Sequence, residues 1–119
     1  MKYLLLIYMN EKAMTPTERE HCYKESTELA HDLKASGQYL SANPLQSVST
    51  ATSLKMRNGK PLITDGPFAE THEQLGGYFL IEARDLNAAI NVASRIPAAR
   101  LGTVEIRPVI DIPELPKSA

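Results

Sequence analysis

Residues 2–9 are apolar at nearly every position, with Tyr3, Leu5 and Ile7 on one face of a strand and Leu4, Leu6 and Tyr8 on the other. Strand side chains alternate between faces, so this pattern predicts a strand covered on both sides and central in its sheet. The period then changes. Thr15-Pro16-Thr17-Glu18 predicts a helix start: Thr15 can cap it, Pro16 fits the first helical position, and Glu18 completes a capping box. A stripe of Cys22, Leu29, Ala30 and Leu33, with Ser26 on the same face, carries the helix to about Ser36. Gly37 is a natural stop.

Residues 38–42 lead to a break at Asn43-Pro44. Residues 47–57 alternate and are rich in Ser and Thr, which predicts an edge or hairpin strand. Asn58-Gly59 is a two-residue hairpin turn, and residues 60–64 return antiparallel. After a dense loop, residues 78–83 read as another largely buried strand. Asp85 then caps a second helix with Leu86, Ala89, Ile90 and Ala93 as its apolar stripe, and Ile96-Pro97 ends it. Residues 103–110 form the last strand, with Val104 and Ile106 on one face and Thr103, Glu105 and Arg107 on the other.

The order strand-helix-strand, hairpin, strand-helix-strand is the split βαβ pattern of an α+β, ferredoxin-like fold with an antiparallel sheet. Both helices cover one face of that sheet. The first strand is apolar on both faces, and no segment remains to cover the second. A second copy of the chain can, so the pattern predicts a homodimer with two sheets face to face. Residues 1–112 make one domain, and the Pro-rich tail 113–119 reads as loosely held.

Composition narrows the function classes. The 119 residues carry a formal net charge of −1, and Lys and Arg are not clustered, so nucleic acid is not an expected partner. The apolar opening is too short for a signal peptide and lacks a small-residue cleavage site, and no stretch is long enough to span a membrane. The single Cys22 rules out an internal disulfide and fits a cytoplasmic protein. No histidine falls at metal-ligand spacing with a second one, and Gly76-Gly77 precedes a strand rather than a helix, so neither a metal nor a phosphate-bearing cofactor is expected.

Candidate chemistry concentrates in Thr64-Asp65-Gly66-Pro67-Phe68-Ala69-Glu70 and the Glu73-Gln74-Leu75-Gly76-Gly77-Tyr78 that follows. Asp65, Gly66 and Pro67 make a rigid turn, and Phe68 is expected to plug into the core. Two roles are open for Asp65. It can cap the loop, saturated by backbone N–H groups. Alternatively, Asp65 and Glu70 line a cavity as catalytic acid–base groups. Gly76-Gly77 reads as a bulge or a close backbone approach. Arg107, Tyr78 and His72 are the candidate substrate contacts. Arg107 can clamp an anion, or instead pair with Glu105, Asp65 or Glu70. His72, two residues past Glu70, can shuttle a proton. His21 lies on one flank of the helix stripe and His31 opposite it, on the solvated side.

The loop string, with the Asn-Gly hairpin and Glu105-Ile106-Arg107-Pro108, resembles the DGPF branch of the YCII-related family of small bacterial proteins. The resemblance covers nearly the whole chain and implies a dimeric α+β barrel. Some sequences of the wider family pair a first-helix His with an Asp as a proposed active-site dyad. Ser26 stands at that helical position here, so the dyad does not carry over. Ser26 is expected to bond a backbone carbonyl instead. The resemblance implies a small organic molecule in a dimer-lined cavity, with cofactor-free isomerase- or lyase-like chemistry. The alternative is a ligand-sensing or protein-interaction module linked to transcriptional regulation.

Overall fold

The structure, a computed structural model, describes residues 1–117. The capping box forms as the sequence predicts. Glu18 N donates to Thr15 Oγ1 at 3.1 Å, and Thr15 N donates to Glu18 Oε1 at 3.0 Å. From there α1 runs over Pro16–Ala35, between β1 (Lys2–Met9) and β2 (Tyr39–Pro44). The β3 (Thr52–Arg57) and β4 (Lys60–Asp65) strands pair only with each other. They are joined by Asn58 and Gly59 with φ of 52° and 75°, as a primed hairpin turn requires. After β5 (Gln74–Glu82) come α2 (Leu86–Ala93), the single turn α3 (Ala98–Leu101) and β6 (Thr103–Pro108).

The main sheet is antiparallel, with order β2-β5-β1-β6, which is the ferredoxin-like arrangement. The sequence places the first strand at the centre, and β1 does lie between β5 and β6. Its helix-side residues, Tyr3 and Leu5, are buried with Phe79 and Ile81 of β5, Leu29 and Leu33 of α1, and Ile96. Leu5, Leu33 and Ile81 lose all exposure. Each contributes about 1.5–3 kcal/mol relative to an exposed position.

Two expectations about Gly76-Gly77 both hold, one at each glycine. The β1–β5 register slips between Ile7 and Tyr8, which pair with Gly77 and Leu75, so Gly76 is the extra residue of a bulge. At Gly77 a Cβ would lie 2.9 Å from the Asn43 carbonyl oxygen and 3.2 Å from Pro44 Cα. The β2 backbone therefore approaches β5 at a place where no side chain fits.

Several local expectations are corrected. Residues 48–50 form a 3-10 turn, and β3 begins only at Thr52. The buried face of α2 is Ala89, Val92 and Ala93, while Leu86 and Ile90 stay about half exposed. The helix is rotated so that its smaller residues enter the core. Phe68 is 91% exposed rather than plugged into the core. Of the tail, residues 113–117 are exposed, and residues 118–119 lie outside the described ones.

The β3–β4 hairpin projects as an arm. Gly66 N donates to Ala51 O at 2.7 Å and Ser53 Oγ to Gly66 O at 2.8 Å, which fix its base. Paired residues share a face, so Leu54 with Ile63 and Met56 with Pro61 make one apolar side. Leu54, Met56 and Ile63 are all more than 60% exposed. The arm explains a radius of gyration of 16.0 Å, against about 13.5 Å for a compact chain of this length.

Candidate functional site

Leu29 and Leu33 seat the C-terminal half of α1 on the sheet. Cys22, Ser26 and Ala30 of the same helix line the space beside that seat with short side chains. A cleft of about 960 Å³ results. Its floor is the helix side of the sheet, with Ile7 and Met9 from β1, Ala42 from β2 and Phe79 from β5. The segment 45–49 and the arm base, Gly66 and Pro67, close one side.

One carboxylate among the lining residues belongs to Glu11, and it is fully engaged. Ser47 Oγ donates to Glu11 Oε2 at 2.9 Å and Val48 N to Oε1 at 3.0 Å. Glu11 N in turn donates to Gln74 Oε1 at 3.0 Å. A chain of hydrogen bonds thus ties the end of β1 to the start of β5 and to the 45–49 segment. Burial raises the Cys22 thiol above its ordinary range, and the charge of Glu25 adds to this while Arg100 opposes it. A protonated thiol is a packing group, not an activated nucleophile. Ser26 makes no side-chain hydrogen bond among the described residues. The backbone-carbonyl bond expected of Ser26 is formed by its neighbour, with Thr27 Oγ1 donating to Tyr23 O at 2.7 Å.

The structure separates the site residues that the sequence groups. Asp65 and Glu70 are exposed, line neither the cleft nor the groove described below, and make no side-chain hydrogen bond or ion pair among the described residues. Within one chain Asp65 is therefore not saturated by backbone N–H groups and does not line the α1 cleft. The loop is held by other residues. Thr103 Oγ1 donates to Glu73 Oε1 at 2.8 Å, and Gln74 Nε2 to Thr71 O at 2.7 Å.

Arg107 lies on the sheet face opposite the helices. Register places Arg107, Leu4, Leu80 and Ser41 in one row and Glu105, Leu6, Tyr78 and Asn43 in the next. Arg107 Nη1 donates to Glu105 Oε2 at 3.2 Å, the pairing weighed as its structural role, although both side chains are exposed. Asn43 Nδ2 donates to the Tyr78 hydroxyl at 3.0 Å, and this bond, with a weaker one from Ser41, lowers the phenol pKa. Tyr78 also borders the cleft from β5. His72 lines a shallow groove with Tyr8, Glu73 and Thr103, away from the cleft. Of the five predicted residues, Tyr78 alone reaches the cleft.

Sequence reasoning missed Glu11 and the exposed Arg19 of α1, which also line the cleft, and it gave no separate role to Gln74 within the singled-out run. Glu11 and Arg19 are polar and stand near a strand or helix terminus, where polar residues are common. Nothing in the sequence separated these two from ordinary surface positions. Among the described residues no group of three His, Cys, Asp or Glu could hold a metal ion. No described helix is long and apolar enough to cross a membrane.

Comparison with known proteins agrees with this architecture. An uncharacterised protein of Rhizobium meliloti is 32% identical over 118 residues, covering 92% of each chain. A solved structure of 5-chloro-2-hydroxyhydroquinone dehydrochlorinase from Burkholderia phenoliruptrix, in complex with 2,5-dihydroxybenzoquinone, superposes with a TM-score of 0.55 at 13% identity. It covers 92% of this chain and 94% of that one, and at this identity the likeness is one of fold. The model of the YCII-related domain matches residues 1–113. With the split βαβ sheet and a match across nearly its full length, the chain belongs to the YCII-related family.

Proposed function

We propose that this protein binds a small organic molecule in the cleft between α1 and the sheet. The observation that carries the reading is the unfilled face of α1. A core helix normally packs along its whole apolar stripe. This one is fully buried only at Leu29 and Leu33, with Ala30 partly buried against the core, while the short side chains of Cys22 and Ser26 border the open cleft. The space lies within the range of small-molecule sites, and apolar surface predominates on its walls. The dehydrochlorinase of the same fold, solved with a small ring compound, supports this class of ligand by analogy. Binding is the core of the proposal. Cofactor-free proton transfer is its catalytic extension, and the positions of Asp65 and Glu70 in one chain do not supply the acid and base for it.

The test is titration with the neutral fluorescent probe N-phenyl-1-naphthylamine. Wild-type protein should bind it saturably. Ser26→Leu and Ala30→Leu, both helix-compatible, should fill the cleft and weaken binding at least severalfold with unchanged far-UV circular dichroism. No saturable binding, or undiminished binding by both folded variants, overturns the reading.

The apolar side of the arm favours an accompanying proposal, a homodimer in which a second copy covers it. Lys55, Arg57 and Lys60 make the arm basic, with no acid between Thr52 and Thr64, although the whole chain is slightly acidic. The arm therefore suits the acidic remainder of another copy. The open sheet face, with Leu4, Leu6 and Leu80 half-buried at its centre, offers a second apolar surface to the same partner.

A further inference from the structure

We propose that the ligand of the cleft is an anion: an organic acid whose apolar body lies against the sheet and whose charged group is held at the mouth by Arg19 and Lys12. The inference rests on the cleft being a binding site, and it follows from an inventory of charge. Arg19 and Lys12 line the cleft, and Glu11 is the one acid that lines it with them. Both Glu11 carboxylate oxygens already accept hydrogen bonds from Ser47 and Val48, so Glu11 has little capacity left to hold a ligand's ammonium group.

Two acids of α1 are paired with arginines away from the cleft, and Glu18 is engaged in the capping box. Glu25 accepts from Arg100 at 2.6 Å and Asp32 from Arg95 at 2.9 Å, on the flank facing α2 and α3. Four of the six arginines make an ion pair among the described residues. The two that do not are Arg57 on the arm and Arg19 at the cleft. Arg19 also sits in the first turn of a 20-residue helix, where the peptide dipoles add positive potential. A guanidinium with no protein carboxylate of its own, beside an apolar cavity, matches a carboxylate carried on an apolar ligand.

A matched set of probes separates this inference from the reading beneath it: 2-naphthoate, 2-naphthamide and 2-naphthylmethylammonium, each competed against N-phenyl-1-naphthylamine on the full chain. Naphthoate should displace the neutral probe with about tenfold higher affinity than the amide, and the ammonium should be weakest. Raising salt should weaken naphthoate and spare the amide. Arg19→Gln should remove most of the naphthoate advantage and leave amide binding unchanged. Arg84→Gln, which alters net charge equally at a residue outside the cleft, should change neither. Equal displacement by all three compounds, or an Arg19→Gln variant that still prefers naphthoate as wild type does, overturns the anion assignment while the cleft stands. Failure of the neutral probe to bind overturns the cleft, and the anion assignment with it.

Discussion

Ser47 Oγ donates a 2.9 Å hydrogen bond to Glu11 Oε2, joining residues 36 positions apart across the lip of the cleft. The second carboxylate oxygen takes the Val48 N–H, so one side chain anchors the segment that walls the site. Glu11→Ala leaves that N–H and the hydroxyl without their partner. Stability should fall by about 1–3 kcal/mol, and the 45–50 segment should be cut faster by a nonspecific protease. Urea denaturation and limited proteolysis read the two effects. An unchanged midpoint together with an unchanged cleavage pattern would show that the lip is held by other contacts.

The close approach of β2 to β5 depends on the absence of a side chain at Gly77. An added Cβ meets backbone, the Asn43 carbonyl oxygen and Pro44 Cα, which cannot swing aside as a flexible side chain can. Gly77→Ala should cost about 1–3 kcal/mol. At Gly102 a Cβ would overlap the Tyr8 carbonyl oxygen, so Gly102→Ala should cost more. Gly76→Ala is the control, because its nearest such atom is the Gln74 carbonyl oxygen at 4.0 Å. Thermal unfolding of the three variants should rank Gly102→Ala as most damaging and Gly76→Ala as least. Any other order contradicts the packing described for this edge.

If a second copy covers the arm, the chain is a dimer at micromolar concentration. Replacing Leu54 and Ile63 together by Ser should shift it toward monomer in sedimentation velocity. The fold should survive, because these residues are more than 60% exposed within one chain and leave its core intact. A wild-type monomer, or a variant that dimerises as tightly as wild type, rules out the arm as the interface.

The Thr15–Glu18 capping box gives the acid limb of the stability profile a definite sign. Hydrogen bonds from the Thr15 backbone, then from its side chain, hold the Glu18 carboxyl below its ordinary value of 4.5. The folded state thus favours the ionised form. The resulting stabilisation is present above pH 4.5 and is lost as pH falls through the lower folded value. Glu18→Gln keeps a side chain able to complete the box but removes the titration. Between about pH 5 and pH 3, the melting temperature of wild type should fall more steeply than that of the variant. Parallel curves would show that the box contributes nothing through charge.

Cys22 should behave as a partly buried, weakly acidic thiol. Its pKa lies above the ordinary 9.0, with burial as the main cause. Alkylation by iodoacetamide at pH 8 should be slower than that of free cysteine, and it should slow further when the cleft is occupied by the fluorescent probe. Reaction at or above the rate of free cysteine would contradict the partial burial of this residue on the cleft side of α1.

Much of the fold was legible along the chain. The doubly apolar run of β1, the capping box at Thr15 and the Asn58-Gly59 turn are set by neighbours a few residues apart. Local chemistry decides each of them: the capping box and the turn form as the sequence predicts, and β1 is a central strand, covered by the helices on one face. The Gly76-Gly77 pair was legible as a backbone constraint for the same reason. The site was far less legible. Asp65 and Glu70 stood out because they flank a rigid turn, yet that turn directs the chain into the base of the arm, with both carboxylates exposed.

Sequence alone therefore determined the element order, the central place of β1 and membership of a split βαβ family, because periodicity and turn residues act over short distances. Tertiary structure decided where the cleft lies. That depended on the short side chains of Cys22 and Ser26 facing the floor made by Ile7 and Phe79, and on Glu11 reaching Ser47. It also decided the phase of α2, where Val92 turns in and Leu86 and Ile90 turn out. Such pairings join segments distant in the chain. Their energies depend on which side chains the fold brings together, and no local pattern records that.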